Sequence, residues 1–193
     1  MRVYDLSDKS KLNLVKEAEL EGYYVSSCKV GSSLYFIANK NLDHYIMNGK
    51  DNSRSDDFKD QLSPSYRDSL DGANFTSVPL DQVYYLPKAV EPGYVLIGGL
   101  DLNLLDQKVN VTAYLGSGQN VYASEKNMYV AVTENGMSRI RPSAKGLPSP
   151  QPQPYEPPKQ ETVIYQFAMN GGKTEYKKHG QSARAPAEPI FHG

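Results

Sequence analysis

Short apolar runs, separated by turn-forming residues, recur along the whole chain. Residues 34–38 and 128–132 are almost continuously apolar, which is typical of strands buried on both faces. Residues 108–115 alternate between apolar and polar positions, which predicts a strand with one face in water. By the same criteria we predict further strands at 3–6, 12–20, 82–86, 94–97, 162–169 and 173–176. The pattern predicts an all-β protein.

Turn signals divide the strands into hairpins and two long connections. Asn170-Gly171, between two strand-like runs, is the strongest short-range signal for a hairpin. Residues 40–76 form a polar insertion, in which 55–62 has the pattern of one short helix with Ser55 as its N-cap. Residues 142–158 hold seven prolines, so we expect 141–161 to be an extended, exposed linker.

The hairpins repeat along the chain. The apolar hairpins 25–38 and 121–132 can be superposed, and three outer hairpins begin near residues 3, 96 and 163. One inner and one outer hairpin make a four-stranded unit that, without the insertions, approaches the ~40–50 residues of a propeller blade. We therefore predict an incomplete β-propeller of about two and a half four-stranded antiparallel blades. A generic all-β meander is the alternative, since sandwiches and barrels have similar spacing.

Composition limits the classes of partner. The net charge of −1 argues against a nucleic-acid-binding surface and against an anchor on anionic lipid, because both need a basic excess. The chain has no apolar stretch of about 18 residues and no signal-peptide profile at its start, so we expect no direct membrane insertion by this segment. Cys28 is the single cysteine, which excludes an internal disulfide.

Four segments carry a resemblance to a known family. They are RVYDLSD at 2–8, YVSS at 24–27, PSYRDS at 64–69 and NVYAS at 120–124. In order and spacing they resemble secreted bacterial and archaeal proteins with a C-terminal β-propeller distantly related to WD40 repeats, and the likeness extends to about Gly180. The resemblance implies an extracellular or cell-surface propeller with no assigned catalytic residue.

No catalytic signature occurs in the chain: it lacks a nucleophile elbow, a P-loop and a His-Glu-x-x-His motif. The candidates for ligand binding are Tyr66, Arg67 and Asp68, because a guanidinium beside a phenol and a carboxylate can hold an anion or a sugar. The alternative is that Arg67 pairs with a nearby carboxylate and fixes the insertion in place.

Metal and cofactor chemistry is equally sparse, and we expect no cofactor. Asp101, Asn103 and Asp106 offer oxygen ligands for calcium but lack the glycine and the final glutamate of a calcium loop. The histidines His44, His179 and His192 are far apart in sequence, so solvated loop histidines are the expectation. Cys28 falls on a predicted buried strand, where a thiol acts as a small apolar group.

These observations together predict a non-catalytic propeller segment of a secreted or cell-surface protein, with a role in recognition or as a scaffold. Its partner would be a protein or a glycan bound by the long connections 40–76 and 141–161. The alternative is a fragment of a propeller hydrolase whose acidic residues gather at the central channel. Since two and a half blades cannot close a ring, the segment should expose sheet faces and need the missing blades of its parent protein.

The last thirteen residues differ from the rest. Residues 181–193 have no strand pattern, and we expect a non-native or disordered tail that results from a shifted reading frame. Codons permitted for 187–193 give Leu-Asn-Gln-Phe-Ser-Met in a neighbouring frame, which is similar to the sequence with which the resembled proteins continue.

Overall fold

The computed structural model describes residues 1–42, 62–87, 92–135 and 160–183, and strands make up most of them. The strands are β1 (Arg2–Asp5), β2 (Asn13–Leu20), β3 (Tyr23–Val30), β4 (Ser33–Asn41), β5 (Ser65–Asp68), β6 (Thr76–Ser77), β7 (Val83–Tyr85), β8 (Gly93–Asp101), β9 (Asn110–Leu115), β10 (Asn120–Ala123), β11 (Asn127–Asn135), β12 (Gln160–Asn170) and β13 (Lys173–Ala183). A 3-10 turn at Leu80–Gln82 precedes β7. The predicted hairpins all appear, with ends displaced by a few residues.

The strands form three sheets, which we number along the chain. The first sheet has the order β1-β2-β5-β6, the second β3-β4-β8-β9-β7, and the third β10-β11-β12-β13. All neighbouring pairs are antiparallel except β7 and β9, which are parallel. Antiparallel sheets of four or five strands confirm the predicted fold class, an incomplete β-propeller.

The repeat of inner and outer hairpins is visible in the strand order. In the second and third sheets an inner hairpin, β3-β4 or β10-β11, is followed by an outer hairpin, β8-β9 or β12-β13. Tyr35 and Tyr129 are each the third residue of the second strand, as the repeat predicts. Tyr35 is buried, whereas Tyr129 lies beside Tyr122, which is 69% exposed. The same face is therefore covered in the second sheet and open in the third.

The insertion contains strands that the sequence pattern did not predict. β5 pairs with the outer edge of β2, and β6 pairs with β5. β7 pairs with the outer edge of β9. Unpaired backbone N–H and C=O groups at a sheet edge favour pairing with any available strand. The insertion thus covers the outer edge of the first sheet, whereas β7, which follows the insertion and matches the strand predicted at 82–86, covers that of the second sheet.

The structure describes only parts of the predicted linker, 141–161, and of the predicted tail, 181–193. Gln160 and Glu161, expected in the linker, begin β12, and β13 continues to Ala183, three residues into the expected tail. The rest of the linker, the rest of the tail and the predicted helix 55–62, apart from Leu62, lie outside the described residues. The reading-frame hypothesis stays a prediction.

The main core lies between the second and third sheets. Its buried members are Tyr35, Ile37, Leu86, Val95, Ile97, Tyr114, Met128, Val130, Val163, Tyr165, Phe167 and Met169. Two smaller clusters lie between the first and second sheets, one around Ala18, Phe36 and Val109 and one around Val78, Leu96 and Ala113. Each sheet therefore packs its apolar positions against a neighbouring sheet.

The predicted Asn-Gly turn also joins two sheets. Gly171 and Gly172 have φ angles of 53° and 78°, which glycine adopts without strain and a two-residue hairpin turn requires. The N–H of Gly172 donates a hydrogen bond to Oη of Tyr35 at 3.3 Å. A Cβ on Gly99 of β8 would overlap the carbonyl oxygen of Gly172, so only glycine permits this close approach of the third sheet to the second.

Candidate functional site

The structure does not bring Tyr66, Arg67 and Asp68 together at one surface. All three lie on β5, where successive side chains point to opposite faces of the sheet. Tyr66 and the buried Asp68 share the face that packs toward the second sheet. Arg67 is on the opposite face, so the three residue types cannot form one ligand site.

Arg67 belongs to a ladder of charges on the outer face of the first sheet. Its Nη2 lies 2.7 Å from Oε1 of Glu19 and 3.4 Å from Oε2 of Glu17. Glu17 in turn accepts a hydrogen bond from Nε of Arg2 at 2.6 Å, which holds the pKa of Glu17 below its usual value. This arrangement matches the alternative interpretation, in which Arg67 fixes the insertion to the first hairpin.

Asp68 lies at the centre of a buried network of polar contacts. Its Oδ1 lies 3.1 Å from Nζ of Lys16, and both side chains are fully buried. The backbone N–H groups of Leu70 and Val109 donate to the carboxylate at 2.9 and 2.6 Å, and Lys16 also donates to the carbonyl oxygen of Gln107 at 2.6 Å. Burial raises the pKa of Asp68, but these hydrogen bonds outweigh it, and the pKa lies below its usual value.

The candidate calcium ligands take part in a local turn. Oδ1 of Asp101 accepts a hydrogen bond from the N–H of Asn103 at 3.0 Å, and the carbonyl oxygen of Asp101 accepts one from the N–H of Leu104. Among the described residues, no group of three or more His, Cys, Asp or Glu side chains is placed to hold a metal ion.

Two other candidate residues lie in the described part of the chain: His179, which contacts a nearby tyrosine, and Cys28, which is half-buried. Nδ1 of His179 is 2.8 Å from Oη of Tyr176, while His44 and His192 lie outside the described residues. Burial raises the pKa of the half-buried Cys28 thiol, which disfavours the reactive thiolate.

A groove of about 330 Å³, which the sequence pattern did not predict, opens between the second and third sheets. The groove is lined by Tyr84, Tyr85, Thr112, Tyr114, Thr174, Glu175 and Tyr176. These residues come from β7 and β9 of the second sheet and from β13 of the third. The parallel pairing of β7 with β9 sets Tyr84 beside Tyr114 and therefore builds one wall of the groove.

Aromatic rings form a continuous series beneath and beside this groove. The ring centroids of Tyr84 and Tyr114 are 5.7 Å apart, and those of Tyr114 and Phe167 are 5.0 Å apart in an edge-to-face arrangement. Phe167 contacts Tyr176 at 5.9 Å in the same manner. Since Phe167 is fully buried, the main core anchors the series, and such pairs stabilise one another beyond their burial.

The tyrosines of the groove differ in their access to water. Tyr84 and Tyr85 are 61% and 63% exposed, whereas Tyr114 is 3% exposed. Burial raises the pKa of Tyr114 to about 12, although a hydrogen bond from the backbone of Tyr176 acts in the opposite direction. The hydroxyl of Tyr114 is therefore neutral at ordinary pH. Tyr84 shares the face of Tyr114, whereas the side chain of Tyr85, the next residue of β7, lies on the other face of the strand. The groove thus has a neutral floor and one accessible aromatic ring, that of Tyr84, at its rim.

Glu175 is the one charged side chain among the described residues that line the groove. Its carboxylate is 2.8 Å from Nζ of Lys177, and both side chains are largely exposed. Ion pairs of this kind in water contribute little and exchange partners readily. Because the adjacent Tyr176 packs against the main core, the side chain of Glu175 lies on the opposite face of β13, in water.

A second cavity, of about 580 Å³, lies at the turn between β1 and β2 and includes Asp5 and Asp8 in its lining. Each carboxylate accepts hydrogen bonds from the hydroxyl and the N–H of the serine two residues later, Ser7 or Ser10. These bonds lower the pKa of both aspartates. Such carboxylates stabilise a turn and are poor proton donors.

The family of the chain follows from its match to a known domain. The family model described as "Beta propeller domain" matches residues 1–182. The chain belongs to this family. No curated protein and no solved structure matches it. The three sheets are accordingly propeller blades, and the tyrosine groove lies at the interface between the second and third blades.

In the part of the chain that the structure describes, no helix is long and apolar enough to cross a membrane.

Proposed function

We propose that this β-propeller segment acts in recognition or as a scaffold, without catalysis, in a secreted or cell-surface protein. The observation that carries the proposal is the tyrosine groove between the second and third blades. Concave, mostly apolar sites with a few polar groups are the usual form of a ligand site. Tyrosine is also enriched where proteins bind one another, because its ring buries a large area and its hydroxyl stays hydrogen-bonded.

The surrounding blades support this role by keeping the groove rigid. Tyr114 and Phe167 belong to the buried core, and the turn at Gly172 holds the two blades in contact. A ligand bound between two fixed sheets needs little reorganisation of the protein, so more of the interaction energy appears as affinity. Propellers commonly present binding residues from such a rigid frame.

The location outside the cell and the relation to WD40 repeats rest on the resemblance described for the sequence. The exposed outer face of the third blade, with Tyr122 and Ile164 at 69% and 39% exposure, fits a segment that packs against further blades of a parent protein. We keep the prediction that the partner is a protein or a glycan. We assign its binding site to the groove and no longer to Tyr66, Arg67 and Asp68.

A hydrolase is the second candidate, and the cavity with Asp5 and Asp8 is the feature that favours it. A general acid needs a carboxyl group whose pKa is raised toward the working pH. The pKa of both aspartates is lowered by their serine partners. We therefore rank recognition above hydrolysis.

Binding to arrays of glycans and peptides tests the proposed function. The labelled chain should bind a subset of the array, and the bound compounds should be recovered unchanged by mass spectrometry. Tyr84→Ser should abolish this binding. Tyr122→Ser, which changes a tyrosine of similar exposure on the third blade, should retain it.

Two results would overturn the proposal. One is cleavage of the bound compounds, which would favour the hydrolase. The other is binding that responds equally to the Tyr84 and Tyr122 substitutions, which would show that the groove is not the site.

A further inference from the structure

We infer that the tyrosine groove binds one pyranose ring of a neutral glycan. This inference rests on the proposed function, because it names the ligand class of the same groove. It follows from three features of the described side chains that face the groove: an accessible aromatic ring, two hydroxyl groups without a partner, and the absence of charge.

The alternation of side chains along each strand decides which residues of the lining face the groove. Tyr114 belongs to the main core, Tyr84 is its neighbour in the parallel pair, and Thr112 lies two residues before Tyr114, so these three share one face of the second sheet. On β13, Tyr176 packs against the same core and Thr174 lies two residues before it. Three tyrosines and two threonines therefore face the groove.

The ring of Tyr84 supplies the first part of the recognition. Tyr84 is 61% exposed, and its ring contacts that of the buried Tyr114 with a centroid distance of 5.7 Å and a tilt of 36°. One face of a pyranose ring carries mainly C–H groups, whose weakly positive hydrogen atoms pack against the electronegative face of an aromatic ring. An accessible ring that leans on the core is therefore a suitable surface for a sugar.

Two threonine hydroxyls supply the second part. Thr112 lies on the second sheet and Thr174 on the third, and both residues are partly buried. Neither hydroxyl forms a hydrogen bond with any other residue that the structure describes. A hydroxyl group both donates and accepts, as the hydroxyl groups of a sugar do. Each threonine can thus bind the ligand without giving up a contact within the protein.

The charge of the groove favours a neutral ligand. The side chains of Tyr85 and Glu175 alternate with those of the groove and lie on the opposite strand faces, where Glu175 pairs with Lys177 in water. An ionic ligand would lose hydration in the groove without a charged partner among the described side chains that face it. The lining therefore favours a neutral sugar over an acidic sugar or an ammonium group.

The polarity and the size of the groove restrict the ligand further. A purely apolar ligand would cover the hydroxyls of Thr112 and Thr174 without pairing them, which is unfavourable. The volume of about 330 Å³ lies at the lower end of the ~300–1,000 Å³ that is usual for ligand sites. The groove therefore suits a single sugar ring rather than a longer stretch of chain.

Saturation-transfer NMR with three neutral glycosides tests the inference: methyl β-glucopyranoside, methyl β-galactopyranoside and methyl α-mannopyranoside. At least one should bind with a dissociation constant of about 1–10 mM, as expected for a ligand of this size. Methoxytetrahydropyran, the same ring without hydroxyl groups, is the matched control ligand and should bind at least about 5-fold more weakly. Failure of all three glycosides to bind, or equal binding of the control, would overturn the inference.

Variants on the two faces of β7 locate the binding. Tyr84→Leu should weaken glycoside binding by about 2- to 10-fold, whereas Tyr84→Phe should retain it because the ring remains. Thr112→Val and Thr174→Val each remove one hydroxyl at nearly constant shape and should weaken binding by about 2- to 10-fold. Tyr85→Leu, on the opposite face of β7, should leave binding unchanged. Equal losses with Tyr84→Leu and Tyr85→Leu would overturn the inference.

The result also separates this inference from the proposed function. If the groove binds a peptide in a manner that depends on Tyr84, but binds none of the three glycosides, the sugar inference is wrong and the recognition role stands. If glycans of the array are cleaved while a glycoside still binds in a manner that depends on Tyr84, the recognition role is wrong and the sugar site stands.

Discussion

The interface between the second and third blades is apolar, whereas the interface between the first and second blades is built around a buried ion pair. Tyr35, Val130 and Phe167 belong to one continuous core that comprises twelve buried residues in the described part of the chain. Between the first and second blades, two clusters of three buried residues flank Lys16 and Asp68. The same type of sheet packing is thus held by different interactions in the two places.

The difference shows that an inserted strand can bring a charged residue into the interface between two blades. The third blade contributes four strands of its own, and their inward positions are apolar. The first blade completes itself with β5 from the insertion, and this strand brings Asp68 into the interface. A buried carboxylate is tolerated only with a full set of partners, and Lys16, Leu70 and Val109 provide them.

Removal of a core ring should have the largest effect. Phe167→Ala deletes a fully buried side chain that contacts both Tyr114 and Tyr176. The free energy of unfolding should fall by about 3–5 kcal/mol, as for other buried aromatic residues. Urea denaturation followed by circular dichroism measures it. Ile164→Ala, on the opposite face of β12, is the matched control and should cost below about 1 kcal/mol; equal losses would contradict the assignment of the core.

Lys16→Met should be the next largest change. It leaves the carboxylate of Asp68 buried without its counter-ion, which should cost about 3 kcal/mol in urea denaturation. The double variant Lys16→Met/Asp68→Asn removes both charges and should recover part of this loss. A double variant no more stable than the single one would show that the charge of Asp68 is not the source of the loss.

Acidification should weaken the interface between the first and second blades more than the interface between the second and third blades. The pKa of Asp68 in the folded protein is below its usual value, so its contribution to stability is complete above the unfolded pKa of about 3.9. The contribution is lost as pH falls through the folded pKa. The stability difference between the wild type and Asp68→Asn should therefore shrink on acidification below about pH 4.

The comparison with Asp68→Asn isolates one carboxyl group. Asp5, Asp8 and Glu17 also have lowered pKa values, but they are present in both proteins and cancel in the difference. A difference that stays constant across the acid range would contradict the role of the ionised Asp68.

Arg67→Gln should have the smallest effect of the series. The charges of Arg67, Glu17 and Glu19 lie on the outer face of the first sheet and keep contact with water. The expected loss is about 0.2–1 kcal/mol, and it should decrease as salt is added. A loss as large as that of Lys16→Met would mean that the outer ladder, rather than the buried pair, holds β5 in place.

Sequence reasoning succeeded where the signal is local. The turn at Asn170-Gly171 and the strands on either side of it were predicted because they lie within a few residues of one another. It missed β5, whose Tyr-Arg-Asp sequence has no apolar periodicity and pairs with β2 almost fifty residues away. It also missed the groove, because Tyr84, Tyr114 and Tyr176 lie on three strands from two sheets.

The sequence by itself determined the hairpins and their order, since turn chemistry and the alternation of apolar positions fix a hairpin's register. The tertiary structure alone decided which face of each blade is covered, why Asp68 is ionised in the interior, and where the tyrosines meet. These features depend on which distant strand reaches a given edge or face. That choice results from the packing of whole sheets, whose free energy no short segment of the chain contains.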